Sequence, residues 1–200
     1  MNEDPKSPNA ERAWNLLMLS VGFGVALGIF IWEGGFRGYD RTPGLVLGTL
    51  VGTIVIAAVV VYVGYARRQA VVGPALVAFV VGTPIALFAW KLGFSSLFAG
   101  ATRAWPSKPG FRCLALSTVD GLSILAALIA TRRNRVLTHP IAAGASMGVA
   151  AGALAWVLVD LWCPVGQPEH VLLGHVVPLL ILTAVGAWPG GLVLQARRRK

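Results

Sequence analysis

Six apolar stretches occupy most of this 200-residue sequence, each close to the length of about 20 residues that crosses a bilayer as an α-helix. In lipid, a helix satisfies its own backbone hydrogen bonds, which an open strand cannot do. The composition agrees, because 56% of the residues are hydrophobic and only 12% are charged, about half the charged share of a soluble domain. The sequence therefore predicts an all-α fold, an integral membrane bundle of six transmembrane helices in a lipid bilayer.

The polar segments set the predicted boundaries. Residues 1–13 form a short amino-terminal segment, which lacks the basic start, apolar core and cleavage site of a signal peptide. Residues 14–194 form the membrane domain, and residues 195–200 form a basic tail. The six spans are placed at about 14–32, 45–65, 70–90, 112–130, 140–162 and 171–194.

Glycines recur at four-residue spacing in two of the predicted spans. The second span begins with Gly44, Gly48 and Gly52, and the fifth contains Gly144, Gly148 and Gly152. Residues four apart share one face of a helix, and small residues on one face let transmembrane helices approach closely. The sequence therefore predicts close helix–helix contacts along these two faces.

Few polar or helix-breaking residues interrupt the spans. Pro74 and Pro84 fall inside the third span, where each would kink the helix because proline removes a backbone donor. Lys91 follows this span and is assigned to the next link. Asp120 and Asp160 are the acids inside the spans, where a carboxylate is costly unless it is paired or hydrated. Asp160 is expected to be hydrated near the membrane edge, whereas Asp120 is expected to make an interhelical hydrogen bond, with proton transfer as the alternative.

The basic residues are distributed unequally between the two sides of the membrane. Six spans place both termini on one side, and the segments on that side hold eleven Lys and Arg residues against six on the other. Because Lys and Arg are retained on the cytoplasmic side, the sequence predicts that both termini are cytoplasmic. Topology thus explains the net charge of +9, which does not indicate direct nucleic-acid binding.

Four side chains that commonly bind metals fall at the outer edge of this predicted bundle. Cys113 opens the fourth span, Cys163 closes the fifth, and His170 and His175 enter the sixth. An outer location permits a disulfide between the cysteines, and two thiolates with two imidazoles form a donor set typical of tetrahedral Zn²⁺. The sequence leaves both interpretations open.

Two further interpretations of the cysteines also stay open. Thiolate character controls reactivity towards oxidants and soft metals; Arg112 would favour the thiolate of Cys113, and Asp160 would oppose that of Cys163. Alternatively, both cysteines pack as small apolar side chains. The sequence contains no phosphate-binding loop, activated nucleophile or pair of catalytic carboxylates, so it predicts a protein that is not an enzyme.

The second half of the chain resembles the NrsF-like and CarR-like family of bacterial membrane-bound anti-sigma factors. The resemblance rests on Arg112-Cys113, an arginine cluster, His139-Pro140, the small-residue run 142–153 and Cys163-Pro164. It implies a six-span protein of the bacterial inner (plasma) membrane that holds an extracytoplasmic-function sigma factor inactive. It also implies that the Cys113 and Cys163 pair senses a redox or metal signal.

The amino-terminal segment is the expected contact for such a sigma factor, through Glu3, Asp4, Glu11 and Arg12. Two alternatives remain for the function of the chain. One is a small membrane protein whose metal or disulfide site is structural and which has no sigma partner. The other is a carrier or enzyme subunit that uses the intramembrane carboxylate of Asp120.

Overall fold

Six helices, each long and apolar enough to cross a membrane, build the structure, which confirms the predicted all-α bundle. The computed structural model describes residues 8–35, 43–66, 71–97, 109–132, 137–163 and 165–195, and these ranges contain no strand. The helices are α1 (Pro8–Trp32), α2 (Pro43–Val61, continued by a π-helical turn at Tyr62–Ala66), α3 (Pro74–Ser96), α4 (Phe111–Arg132), α5 (Pro140–Trp162) and α6 (Pro168–Gln195).

Helix α5 is the centre of the bundle because its small side chains let neighbouring backbones approach. A methyl group added at Gly144 or Gly148 would lie within 3.0 Å of a carbonyl oxygen of α6. The corresponding positions on α2, Gly48 and Gly52, pack against the rings of Phe94 and Trp90 on α3. Both predicted glycine faces therefore make close helix–helix contacts.

The outer helices α1, α2 and α3 present apolar side chains away from the bundle. Leu17 and Ile31 on α1, Val59 on α2 and Val77 and Ile85 on α3 are all more than half exposed. A soluble protein rarely exposes so much contiguous apolar surface. These faces suit contact with lipid chains, in agreement with the hydropathy of the six helices.

Helix α6 is irregular at two places, both of which contact other helices. It contains π-helical turns at Leu172–Val176 and Gly186–Gly190. Pro178 has no backbone N–H to donate to the carbonyl of Gly174 one turn earlier, and the Ser117 hydroxyl of α4 donates to that carbonyl at 3.2 Å. The irregularity thus creates a hydrogen bond between α4 and α6.

The predicted limits of the third span were wrong. Pro74 is the first residue of α3 rather than an interior kink, a position where its missing N–H costs nothing. Pro84 lies inside the helix, which continues past it to Ser96. Lys91 is therefore not in a link: it is a buried residue of α3 that forms an ion pair with Asp160 of α5. Because Lys91 is paired, the helix continues past it inside the bundle. Hydropathy alone treats Lys91 as a charge at the membrane edge, so it placed the end of the span too early.

The predicted start of the first span at residue 14 was also wrong, because α1 begins six residues earlier, with Pro8 in its first turn. The remaining helix ends lie within a few residues of their predicted positions. Helix α5 has the predicted bounds, and α4 and α6 extend slightly further than predicted. Helix α1 begins at Pro8, so that Glu11 and Arg12 lie in its first turns. Glu3 and Asp4 fall outside the described residues, as does the basic tail after Gln195.

Candidate metal and thiol site

The four predicted metal-binding side chains meet at one end of the bundle. Cys113 lies in the first turn of α4, Cys163 directly follows α5, His170 lies in the first turn of α6, and His175 lies in its first π-helical turn. All four are buried, and their potential ligand atoms lie within 4.8 Å of one another. The site therefore joins three helices.

His170 contacts both cysteines. Its Nε2 atom lies 3.4 Å from the Sγ of Cys113 and 3.1 Å from the Sγ of Cys163. In a tetrahedral zinc site with bonds of about 2.0–2.3 Å, neighbouring ligand atoms are about 3.3–3.8 Å apart. The observed separations are close to this range, so the donor set fits a zinc ion with small side-chain movements.

His175 provides a second indication that the site can hold a cation. Neither ring nitrogen has a hydrogen-bond partner among the described residues, although the side chain is 1% exposed. Buried polar groups without a partner are costly and rare. Coordination by one nitrogen would remove part of that cost. The ring is tilted against Trp156, with centroids 5.1 Å apart, and lies 6.1 Å from the ring of His170.

Two glycines allow α4 and α6 to meet at the site. Gly110, just before α4, has a φ of 102°, which side chains rarely tolerate. A Cβ at Gly110 would also lie 3.0 Å from the His170 carbonyl oxygen. A Cβ at Gly174 would lie 2.8 Å from the Cβ of Cys113. Side chains at these positions would push His170 and His175 away from Cys113.

The pKa of the Cys163 thiol, just beyond the end of α5, lies well below its ordinary value. The largest cause is its hydrogen bond with the Cys113 thiol, and the nearby rings of His170 and His175 act in the same direction, against the effect of burial. Hydrogen bonds to a charged form favour that form. A thiolate is the form that binds metal ions and reacts with oxidants.

Arg112, the residue before Cys113, also contacts the ends of two other helices. Its Nε donates to Glu33 at 3.0 Å, and its guanidinium lies over the ring of Trp162, 4.8 Å from the centroid. The Trp162 indole in turn donates to the Glu33 carbonyl at 3.0 Å. The end of α1, the start of α4 and the end of α5 are thus joined beside the site. Glu33 was not among the predicted site residues, because it follows the predicted first span and falls in a link.

The prediction that water hydrates Asp160 was wrong. The side chain is buried, pairs with Lys91 and accepts a hydrogen bond from Thr53 Oγ1 at 3.2 Å. Pairing satisfies the carboxylate inside the apolar bundle, where an unpaired charge is costly. Because Asp160 lies one turn before Cys163, this ion pair supports the helix end that carries the thiol.

The other intramembrane acid, Asp120, is 2% exposed. Its Oδ1 atom has no hydrogen-bond partner among the described residues, so the expected interhelical bond is not formed by this atom. Glu11 and Arg12 lie at the start of α1, whereas Glu33 at its far end adjoins the site. Glu11 and Arg12 are thus at the opposite end of the bundle from the four potential metal ligands.

Comparison with known proteins identifies the family. No curated protein and no solved structure shows significant similarity to the chain. A family model described as "Negative regulator of sigma F" matches residues 2–195, nearly the whole chain. This match confirms the resemblance to the NrsF-like family, and the chain belongs to the NrsF family of negative regulators of sigma F.

Proposed function

We propose that this protein is a membrane-bound anti-sigma factor that holds an extracytoplasmic-function sigma factor inactive at the bacterial inner membrane. Membership of a family of negative sigma regulators supports a sigma factor as partner. The excess of Lys and Arg on the side of both termini supports a cytoplasmic location for them. A regulatory role needs no catalytic residue, and we assign none.

We further propose that Cys113, Cys163, His170 and His175 receive the signal. The observation that carries this proposal is the convergence of both sulfur atoms on one imidazole nitrogen, at 3.4 and 3.1 Å, from three different helices. If the signal is a metal, these residues would hold Zn²⁺, which supplies a cross-link between α4, α5 and α6. If it is an oxidant, the two sulfur atoms lose two electrons to it as the S–S bond forms, and any proton still held by either thiol is released.

Helix α6 is the proposed route from the site to the cytoplasmic face. Its first turns carry both histidines, and its later turns pack directly on the glycine face of α5. Its last residue, Gln195, lines a surface groove of about 470 Å³ together with Thr138 and His139 at the start of α5. A change in how α6 packs at the site would therefore alter the opposite end of the bundle.

The proposed partner surface combines this end with the amino-terminal segment. We propose that residues 1–13, through Glu3, Asp4, Glu11 and Arg12, contact the sigma factor beside the membrane domain of residues 14–194. The acidic side chains would meet basic groups of the partner. By the same proposed topology, the basic tail of residues 195–200 would face the same side.

Replacing Cys113 or Cys163 by serine is expected to abolish signal-dependent release of the sigma factor while leaving membrane insertion intact. Serine has the same shape and a slightly smaller volume, but it is a poor metal ligand and forms no disulfide. The measurement is a sigma-dependent reporter, before and after treatment with diamide or a soft metal ion, together with the amount of protein in the membrane.

The matched control is Ser96→Ala, because this exposed hydroxyl, among the described residues, donates to a carbonyl of its own helix. It should respond as the wild type does. A normal response in both cysteine variants would refute the signalling role. Loss of both variants from the membrane would instead support a purely structural site.

A further inference from the structure

A second layer of buried polar groups lies beneath the metal and thiol site. It consists of Asp120 on α4, Trp156 on α5 and His175 on α6, each at most 2% exposed. Asp120 Oδ1, Trp156 Nε1 and both nitrogens of His175 have no hydrogen-bond partner among the described residues. Most buried polar atoms are paired, by protein groups or by ordered water. Unpaired atoms on three side chains in one region of the described bundle therefore call for a common explanation.

The helix geometry brings these groups to the same depth. Asp120 follows Cys113 by seven residues on α4, and Trp156 precedes Cys163 by seven on α5. Seven residues are two turns, or about 10.5 Å along the axis, and they return to nearly the same face. Because α4 and α5 are antiparallel and their sulfurs meet at His170, Asp120 and Trp156 lie at matching levels below the sulfurs.

The third helix enters this layer through His175. The His175 ring lies 5.1 Å from that of Trp156. One turn above Asp120, Ser117 donates to the carbonyl of Gly174, the residue that precedes His175. Just below, a Cβ at Gly121 would contact the side chain of Leu182 on α6. The face of α4 that carries Asp120 is thus packed against the part of α6 that carries His175.

We propose that Asp120 is a positioning residue for His175 and acts through a buried water molecule. In this arrangement, the water donates a hydrogen bond to Asp120 Oδ1 and accepts hydrogen bonds from the N–H groups of Trp156 and His175. It then has three partners, the usual number for a buried water. The second nitrogen of His175 then faces the sulfurs as a lone-pair donor. Histidines that bind metals commonly donate their other N–H to a carboxylate or a water. This inference rests on the proposed metal-binding function.

Cobalt binding to the full-length protein in lipid nanodiscs tests the inference. Co²⁺ reports its ligands through its visible absorption, and Zn²⁺ competition gives the affinity. We expect Asp120→Ala to weaken binding by about 10–100-fold, the usual effect of losing such a supporting group, and to shift the cobalt bands. Asp120→Asn keeps an acceptor oxygen and should restore most of the affinity.

The matched control is Ser123→Ala on the same helix. The Ser123 hydroxyl donates to the backbone carbonyls of Gly22 on α1 and of Asp120, and not to the Asp120 carboxylate. This variant should bind cobalt as the wild type does. Wild-type affinity and spectrum in Asp120→Ala would overturn the inference. Equal losses in the alanine and asparagine variants, with unchanged spectra, would also overturn it, because positioning by a hydrogen bond predicts rescue.

A metal-free measurement separates this inference from the metal site itself. The chain has three histidines, so their ¹⁵N signals can be assigned by single replacements. Without metal, the His175 signals should shift in Asp120→Ala and not in Ser123→Ala. If the wild type binds no cobalt, the metal-binding proposal fails, and these spectra still decide whether Asp120 orients His175.

Discussion

Replacing Lys91 by alanine is expected to destabilise the membrane domain by about 3–5 kcal/mol, the usual cost of breaking a buried ion pair from one side. Lys91 and Asp160 are each 3% exposed, and Thr53 also bonds to the carboxylate. The variant leaves a carboxylate buried without its cation and removes one link between α3 and α5. Unfolding in mixed micelles with increasing dodecyl sulfate measures the loss.

A second ion pair provides the control. Arg112 and Glu33 are also paired, but the Arg112 side chain is 59% exposed, and an exposed pair contributes about 1 kcal/mol or less. Arg112→Ala should therefore cost much less than Lys91→Ala. The double variant Lys91→Met with Asp160→Leu should recover part of the stability, because it leaves no unpaired charge. Equal losses in Lys91→Ala and Arg112→Ala would contradict the buried role of the Lys91 pair.

Replacing Gly148 by alanine should have the second-largest effect, because the added methyl group meets backbone rather than a movable side chain. It would lie within 3.0 Å of the Leu182 carbonyl oxygen and 2.7 Å from the Thr183 Cα. Overpacking of this kind typically costs about 1–3 kcal/mol. Separation of α5 from α6 should also weaken metal binding, since α6 carries His170 and His175. Unfolding and cobalt titration measure the two effects.

Gly28→Ala on α1 is the matched control for this experiment. No other part of the described chain comes within 4 Å of a Cβ at that position, and alanine is the better helix former. Gly28→Ala should leave stability unchanged or raise it slightly. If Gly148→Ala behaves like Gly28→Ala, the glycine face of α5 is not the close contact that couples it to α6.

The sequence predicted the six helices from local hydropathy. It also predicted that the four potential metal ligands lie at one end of the bundle, because each crossing of the membrane reverses the direction of the chain. Cys113 begins one span and Cys163 ends the next, so they lie at one end of the bundle whatever the detailed packing. Their helices adjoin, and α6 begins soon after Cys163. The glycine faces were predicted for the same reason, because four-residue spacing alone places residues on one side of a helix.

Pairing between distant residues was not predictable from the sequence. Lys91 and Asp160 are 69 residues apart, and each looked like a charge near a span end. Only the packing of α3 against α5 turns them into a buried pair. The isolation of Asp120 Oδ1 and of His175 is likewise a property of three helices together. No local pattern distinguishes a buried polar atom with a partner from one without.

Capture of a sigma factor by the tagged full-length protein tests the central claim most directly. The chain should be solubilised from its native membrane with the amino-terminal segment intact and purified under reducing conditions, with and without subsequent oxidation or metal addition. We predict that an extracytoplasmic-function sigma factor co-purifies before the stimulus and is released after it, and that the Cys113→Ser variant retains it throughout. Absence of any bound sigma factor under every redox and metal condition would contradict the claim.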